Sequence, residues 1–129
     1  MNFILKAFIR ELDNFNITYS LEQVDDEKYL INIDNLPPKL NKALSKANFR
    51  QCTGRKSYYN ERGEVYRVED IIELINVSDK STTDENGNTS LKLTLDKVTA
   101  HRKMIICSIA IRDYYRDHHN ELMSKLFYK

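Results

Sequence analysis

Residues 89–111 read TSLKLTLDKVTAHRKMIICSIAI and contain the strongest secondary-structure signals in the chain. Leu91, Leu93 and Leu95 alternate with polar residues, which predicts a β-strand with one buried face. Asp96 follows the strand and can cap the start of a helix. From there to the end of the given sequence there is no Gly or Pro, so we expect one long C-terminal helix.

The apolar residues of this segment predict how the helix packs. A seam with steps of three and four residues is formed by Met104, Cys107, Ile111, Tyr114, His118 and Leu122. Ile105, Ile106 and Ile109 make the first half apolar nearly all round, so we expect that half to be buried. His118 lies on the seam, where a hydrogen-bonded core histidine is favoured over a metal ligand. A strand over residues 104–111 is the alternative, because a short apolar run fits either element.

Upstream, the sequence predicts two further helices and a hairpin. Residues 2–15 have apolar residues at helical spacing, which indicates an amphipathic N-terminal helix. Residues 17–21 and 29–33 alternate around Asp25-Asp26-Glu27, which predicts an antiparallel hairpin. Pro37 and Pro38 end this hairpin and suit the first turn of a middle helix. The apolar stripe of that helix is Leu40, Ala43, Leu44 and Ala47.

The middle of the chain is punctuated by turn signals. Tyr58-Tyr59 and Val65-Tyr66 flank a Gly63 turn and predict a second hairpin. Residues 68–77 have helical spacing but β-branched character, and a strand is weakly favoured over a helix. The polar stretch 78–90 contains Asn86-Gly87, which predicts a turn before the strand of alternating leucines.

These signals predict a single α+β domain over residues 1–129. Antiparallel β-hairpins or a meander pack against an N-terminal helix, a middle helix and a long C-terminal helix. The hydrophobic content of 41% is sufficient to fill one core, and the two cysteines are too far apart to indicate a secreted disulfide scaffold. No segment predicts a signal peptide or a membrane span, so we expect a cytoplasmic protein that does not enter a membrane.

The charge is unevenly distributed along the chain, although the net charge is only +1. Residues 39–56 contain no Asp or Glu and six basic residues, which are Lys39, Lys42, Lys46, Arg50, Arg55 and Lys56. Tyr58 and Tyr59 border this basic interval. Residues 61–85 contain eight acidic and three basic residues, so a bipolar surface is expected.

The basic interval and its two tyrosines are the candidate partner-binding residues. Clustered Lys and Arg beside aromatic rings can hold a phosphate backbone and stack bases, or can bind an acidic groove on a protein. The alternative is a solvated surface that only keeps the protein in solution. The sequence predicts a monomer or a homodimer without deciding between them.

Zinc is a minority prediction. Cys52, His118, His119 and Glu121 are weak candidate ligands. The chain has neither a paired Cys-x-x-Cys nor a His-Glu-x-x-His motif, and Cys107 and His118 would stand about 16 Å apart on one helix. Cys52 is followed by Arg55 at too short a spacing for a phosphatase loop. No catalytic residue is therefore assigned, and the protein is expected not to be an enzyme.

In overall character the chain resembles the small accessory proteins of phages and mobile elements from AT-rich Gram-positive bacteria, which include anti-CRISPR inhibitors. The short single domain, the Asn/Ile/Lys/Tyr bias, the missing catalytic motif and the charged interval 39–56 underlie this resemblance. It implies a binding protein that occupies a host nucleoprotein effector and blocks nucleic-acid loading or activity. A nucleic-acid-binding regulator that uses residues 39–56 is the alternative, and a small metal-dependent enzyme is the second alternative.

Overall fold

A computed structural model describes residues 3–127, with side chains for residues 3–119. In chain order the elements are α1 (Phe3–Asn14), β1 (Thr18–Asp25), β2 (Lys28–Asp34), α2 (Pro38–Lys46), β3 (Asn48–Tyr59), β4 (Val65–Asn76), β5 (Lys80–Thr83), β6 (Thr89–Leu95) and α3 (Ala100–Phe127). The predicted α+β class, with its three helices and antiparallel strands, is confirmed. No helix in the described range has the length and apolar composition that crossing a bilayer requires.

Four strands form the main antiparallel sheet, in the order β1-β2-β6-β5. Across β2 and β6, Ile31 pairs with Leu93 and Ile33 with Leu91, and all four side chains are buried. Because side chains alternate along a strand, the polar residues between them lie on the other face. The first hairpin and the strand ending at Leu95 are therefore confirmed.

The three helices pack against this sheet and close one hydrophobic core. α1 contributes Leu5, Phe8 and Leu12 at the spacing that the sequence predicts. α2 contributes Leu40 and Leu44, and its first turn begins with Pro38, where a missing N–H leaves no helical hydrogen bond unmade. We refer to the main sheet and the three helices together as the body.

α3 packs through one narrow seam. Met104, Cys107 and Ile111 are buried as predicted, and burial raises the pKa of the Cys107 thiol to about 12. The expected burial of the whole first half of this helix is wrong, because Ile105 and Ile109 are exposed. α3 contacts the rest of the body on one side only, so apolar residues on its other side face solvent. The alternative strand over residues 104–111 is also wrong.

Asp96 caps the start of α3 as predicted. Its Oδ1 accepts hydrogen bonds from the backbone N–H groups of Thr99 at 2.7 Å and Val98 at 2.9 Å. Burial acts to raise the pKa of Asp96, but these hydrogen bonds and the charge of Lys103 outweigh it, so this pKa lies below its ordinary value. Lys103 is itself buried, and its Nζ donates to the Thr94 carbonyl oxygen at 2.8 Å.

The polar stretch 78–90 contains a strand that the sequence does not predict. It contains β5, which pairs with β6 along the edge of the main sheet. The predicted turn at Asn86-Gly87 is present, and Gly87 has a φ of 82°. β5 reads Lys-Ser-Thr-Thr and has no apolar residue to alternate, which is why pattern analysis misses it.

β3 and β4 form a separate two-stranded antiparallel sheet, which we call the arm. The weakly favoured strand at residues 68–77 is confirmed, since β4 covers Val65–Asn76. The expected meander is divided, because β4 pairs with β3 while β5 and β6 join the main sheet. Phe49 and Ile75 pair at the base of the arm and pack against the core of the body.

Candidate binding surface

The two faces of the arm have different surroundings. Because side chains alternate along a strand, the register places Phe49 and Ile75 on one face, which we call the inner face because it turns toward the body. The opposite, outer face contains Val68, Ile72 and Leu74 from β4. On β3, their cross-strand partners are Ser57, Cys52 and Arg50, in that order. The fourth pair on this face is Arg55 of β3 and Asp70 of β4.

The outer face carries three apolar side chains that the body does not cover. Val68, Ile72 and Leu74 each expose more than half of their side chains. Beyond its base, the described part of the arm pairs only with itself. An isolated two-stranded ribbon is marginally stable in water and usually needs a third strand or a packed face. This arm therefore presents an apolar surface that the body does not cover.

The strands of the arm bring the basic and acidic intervals together. Arg55 lies 3.2 Å from Asp70, and Arg67 forms an ion pair with Glu69. Lys56 is the cross-strand partner of Glu69 in the register. The expected bipolar surface is therefore wrong for this part of the chain. Antiparallel pairing places Arg55 and Lys56 of β3 opposite Asp70 and Glu69 of β4, whereas Arg50 pairs with Leu74.

Tyr58 is held in place by its neighbours. Its hydroxyl donates to Glu69 Oε2 at 2.9 Å, and this hydrogen bond, together with burial, raises the pKa of Tyr58. Lys56 Nζ and the Arg67 guanidinium lie 5.4 and 5.3 Å from the ring centroid. The ring is therefore engaged by two cations. Tyr59, near the turn, is exposed and keeps its ring available for a partner.

α2 carries three of the six bases of the basic interval. Lys39, Lys42 and Lys46 are exposed on one side of the helix, opposite Leu40 and Leu44. None of the three lysines has an ion-pair partner within residues 3–119. The predicted basic surface is thus present on α2, whereas on β3 Arg55 and Lys56 lie opposite acidic residues of β4.

The candidate zinc ligands lie on separate elements. Cys52 is exposed on the arm, while His118 and His119 are exposed on α3. The prediction that His118 is a core residue is wrong, because its side chain is exposed. Its ring stacks on Tyr114 with the centroids 3.8 Å apart, and its Nδ1 lies 2.9 Å from the Tyr114 carbonyl oxygen. The side chain of Glu121 lies outside the described residues.

No group of three or more His, Cys, Asp or Glu side chains converges on a metal-sized site within the described part of the chain. A cleft of about 410 Å³ lies between the starts of α1 and α3. The polar residues that line it include Glu27, which pairs with Lys97 at 3.5 Å, and Asp96, which caps α3. These carboxylates already have structural partners.

The apolar residues of the outer face are the ones that sequence reasoning misses. β4 reads VYRVEDIIELIN and has apolar residues at both odd and even positions. Such a strand is apolar on both of its faces. Together with charged residues at the intervening positions, this pattern could have indicated a strand that binds a partner on one side.

Comparison with protein-family models, with curated proteins and with solved structures finds no match for this chain. No functional residue is therefore transferred from a relative. The surface geometry of the arm and the charges on α2 are the observations from which a function can be inferred.

Proposed function

We propose that this chain is a non-enzymatic binding protein whose arm docks on the surface of another protein. The observation that carries this proposal is the exposed apolar outer face of an arm that extends from an already complete core. Val68, Ile72 and Leu74 are exposed and therefore contribute little to the core. Burying such side chains against a partner stabilises the complex by about 25 cal/mol per Å² of apolar area. Clustered exposed apolar residues commonly mark protein interaction sites.

The charge of the arm favours a protein over a nucleic acid. Residues 48–76 contain five basic residues, Arg50, Arg55, Lys56, Arg62 and Arg67, and five acidic residues, Glu61, Glu64, Glu69, Asp70 and Glu73. A phosphate-binding ribbon needs an excess of positive charge. Two of the acids lie in the turn at the tip, where they would repel a phosphate backbone.

The lysines of α2 have a supporting role in this proposal. Lys39, Lys42 and Lys46 are exposed and unpaired among the described residues, so they attract an acidic surface over a Debye length of about 8 Å at physiological salt. Charges at the edge of an interface mainly raise the association rate. The resemblance to phage accessory proteins leads us to propose a host nucleoprotein effector as the target and inhibition by occupation of its surface.

A nucleic-acid-binding regulator is the second candidate, and the three unpaired lysines of α2 with Arg50 favour it. Four phosphate contacts would give a slope of log affinity against log salt of about −3.6 with duplex DNA. A slope near zero, or no measurable binding to bare DNA or RNA, would exclude this candidate and leave the protein partner.

Affinity capture with two matched variants tests the proposed function. Tagged protein captures its target from the lysate of an AT-rich Gram-positive host, and binding is then measured with both components purified. We expect Ile72→Glu/Leu74→Glu to lower the affinity at least about 100-fold, because two charges would be buried in the interface. Lys39→Glu/Lys42→Glu/Lys46→Glu should slow association and leave dissociation nearly unchanged.

Circular dichroism confirms that both variants fold before they are compared. If the arm variant binds the purified target as tightly as the wild type does, the arm is not the docking element. If the α2 variant alone abolishes binding at all salt concentrations, the interface lies on α2.

A further inference from the structure

We infer that the free edge of β4 accepts an extended segment of the target protein as a third strand of the arm. This pairing rests on the proposed function, since it takes the arm as the docking element, and it adds the kind of chain that docks. Within residues 3–127, β4 pairs only with β3, so its other edge has no neighbouring strand. A third strand stabilises a two-stranded ribbon that is marginal by itself.

Two hydrogen bonds show which backbone groups of β4 point toward β3. Thr53 Oγ1 donates to the Ile71 carbonyl oxygen at 3.2 Å, which places that oxygen on the β3 side. At the base of the arm, the Val77 N–H donates to the Ala47 carbonyl oxygen at 2.9 Å. Every second residue from Val77 back along the chain leads to Ile71, so both bonds assign the same set of residues to the β3 side.

The intervening residues of β4 point their backbone N–H and C=O groups away from β3. These residues are Val68, Asp70, Ile72 and Leu74. Among the described residues, none of their backbone N–H or C=O groups has a hydrogen-bond partner. A row of unpaired backbone groups of this kind is the site at which an extended chain adds to a sheet. The chemistry of the edge therefore selects a strand as its occupant.

The two edges of the arm differ, and β4 is the better one for an added strand. β3 has a bulge at Thr53, where the register shifts between Cys52 and Gly54, and a bulge interrupts the ladder that an added strand needs. β4 pairs without interruption from Arg67 to Asn76. It also contains no Pro and no Lys, which are residues that commonly protect an exposed edge.

The side chains of β4 define the sequence that fits beside it. β4 contains three acidic residues and one basic residue. On the outer face, Val68, Ile72 and Leu74 are more than half exposed and would contact apolar side chains of the added strand. On the inner face, Glu69 and Glu73 favour Lys or Arg at the opposing positions. The segment that fits therefore alternates apolar and basic residues.

A synthetic peptide tests this pairing without the target. The peptide VKVKVKVK, blocked at both ends, is added to ¹⁵N-labelled protein, and amide hydrogen exchange is followed for each residue by NMR. We expect a dissociation constant below about 1 mM. In the complex, exchange should slow at Val68, Asp70, Ile72 and Leu74, because the added strand accepts hydrogen bonds from their N–H groups.

Two control peptides separate strand pairing from general attraction. VVKKVVKK has the same composition without the alternation, so it cannot present apolar residues to one face and lysines to the other. VEVEVEVE keeps the alternation but places carboxylates opposite Glu69 and Glu73. Neither peptide should slow exchange on β4 at the concentration at which VKVKVKVK does.

Proline substitutions test the backbone contact directly. Asp70→Pro removes an N–H that points away from β3, at a position where an edge strand tolerates proline. This variant should bind VKVKVKVK at least about tenfold more weakly, because a hydrogen bond is lost and the ring occupies its place. Asp70→Ala removes the same carboxylate but keeps the N–H, and Ser57→Pro places the ring on the free edge of β3. Both controls should bind nearly as the wild type does.

Any of four results would overturn the inference. The first is unchanged exchange on β4 with VKVKVKVK at about 1 mM. The second is slowed exchange on the free edge of β3 in place of β4. The third is equal slowing by either control peptide, and the fourth is an Asp70→Pro variant that folds and binds VKVKVKVK as tightly as the wild type. If Asp70→Pro does not fold, the exchange pattern of the wild type decides.

Measurements with the purified target separate strand pairing from the proposed function. Loss of target binding in Ile72→Glu/Leu74→Glu but not in Asp70→Pro would show that the target covers the outer face without pairing, which refutes strand addition and leaves the proposed function standing. Pairing of VKVKVKVK with β4, while both variants bind the target as the wild type does, would refute the proposed function and leave the edge as a strand-binding site.

Discussion

Matched leucine-to-alanine substitutions in the body and on the arm separate residues that stabilise the fold from residues that are available for binding. Leu93 is fully buried in the main sheet, whereas Leu74 is 63% exposed on the arm. The same atoms are removed at both positions. Any difference in the free energy of unfolding therefore reports the surroundings of the two side chains.

The expected difference follows from burial. Leu93→Ala removes core contacts and leaves a cavity, which costs about 2–5 kcal/mol. Leu74→Ala removes a side chain that mostly contacts water, and surface substitutions of this kind change stability by about 0.5 kcal/mol or less. For a domain of this size a loss of 1 kcal/mol lowers Tm by about 3–6 °C. Leu93→Ala should therefore melt at least about 4 °C below Leu74→Ala.

Urea denaturation followed by far-UV circular dichroism measures both variants against the wild type. The denaturation midpoint should fall for Leu93→Ala with an unchanged dependence on urea, and it should stay near the wild-type value for Leu74→Ala. A loss above about 1.5 kcal/mol in Leu74→Ala would show that Leu74 packs against the fold, which would refute the reasoning that it is free for a partner.

Three further substitutions test the body of the fold. Ile111→Asp would place an unpaired charge in the core at a cost of several kcal/mol, so circular dichroism should show an unfolded or strongly destabilised protein. Asp96→Ala should cost about 1 kcal/mol at pH 7, because the helix cap on Thr99 is lost. Because the folded-state pKa of Asp96 is lowered, the ionised carboxylate stabilises the folded protein above about pH 4, and this stabilisation is lost as the pH falls further. The melting temperatures of wild type and variant should therefore converge in acid. Arg112→Ala should cost about 1–2 kcal/mol in urea denaturation, because the mostly buried Glu11 carboxylate loses its ion pair, and Glu11→Gln in the same chain should recover part of this loss.

The elements with regular apolar spacing could be predicted from the sequence. The leucines of β6 alternate strictly, and Leu5, Phe8 and Leu12 repeat at helical spacing, so periodicity alone identifies both elements and their buried faces. Asp96 could be predicted as a cap, because a carboxylate before an apolar periodic segment is the usual start of a helix.

Tertiary context decides the features that could not be predicted. Ile109 is as apolar as Ile111, but only the seam side of α3 meets the rest of the body, and the sequence does not show that the other side stays uncovered. β5 is a strand because β6 offers it an edge, although its own residues are polar. The neutralisation of Arg55 by Asp70 depends on the register of two strands that are 15 residues apart in sequence at that point.

The candidate site was predicted in part. Lys39, Lys42 and Lys46 lie exposed on one side of α2 as the spacing indicates. Ile72 and Leu74 were assigned only to a weakly favoured strand, because a sequence does not show whether an apolar strand lies inside a sheet or on an uncovered arm. Whether the arm binds a protein stays a prediction.

Hydrogen exchange measured by mass spectrometry tests the central claim that the arm docks on a protein. In the free protein at low concentration, residues 48–76 should exchange much faster than β2 and β6, because an isolated ribbon opens easily. Addition of the purified target should slow exchange across residues 48–76, with little change in the body. Slowed exchange on α2 or α3, with the arm still exchanging at its free rate, would contradict the claim.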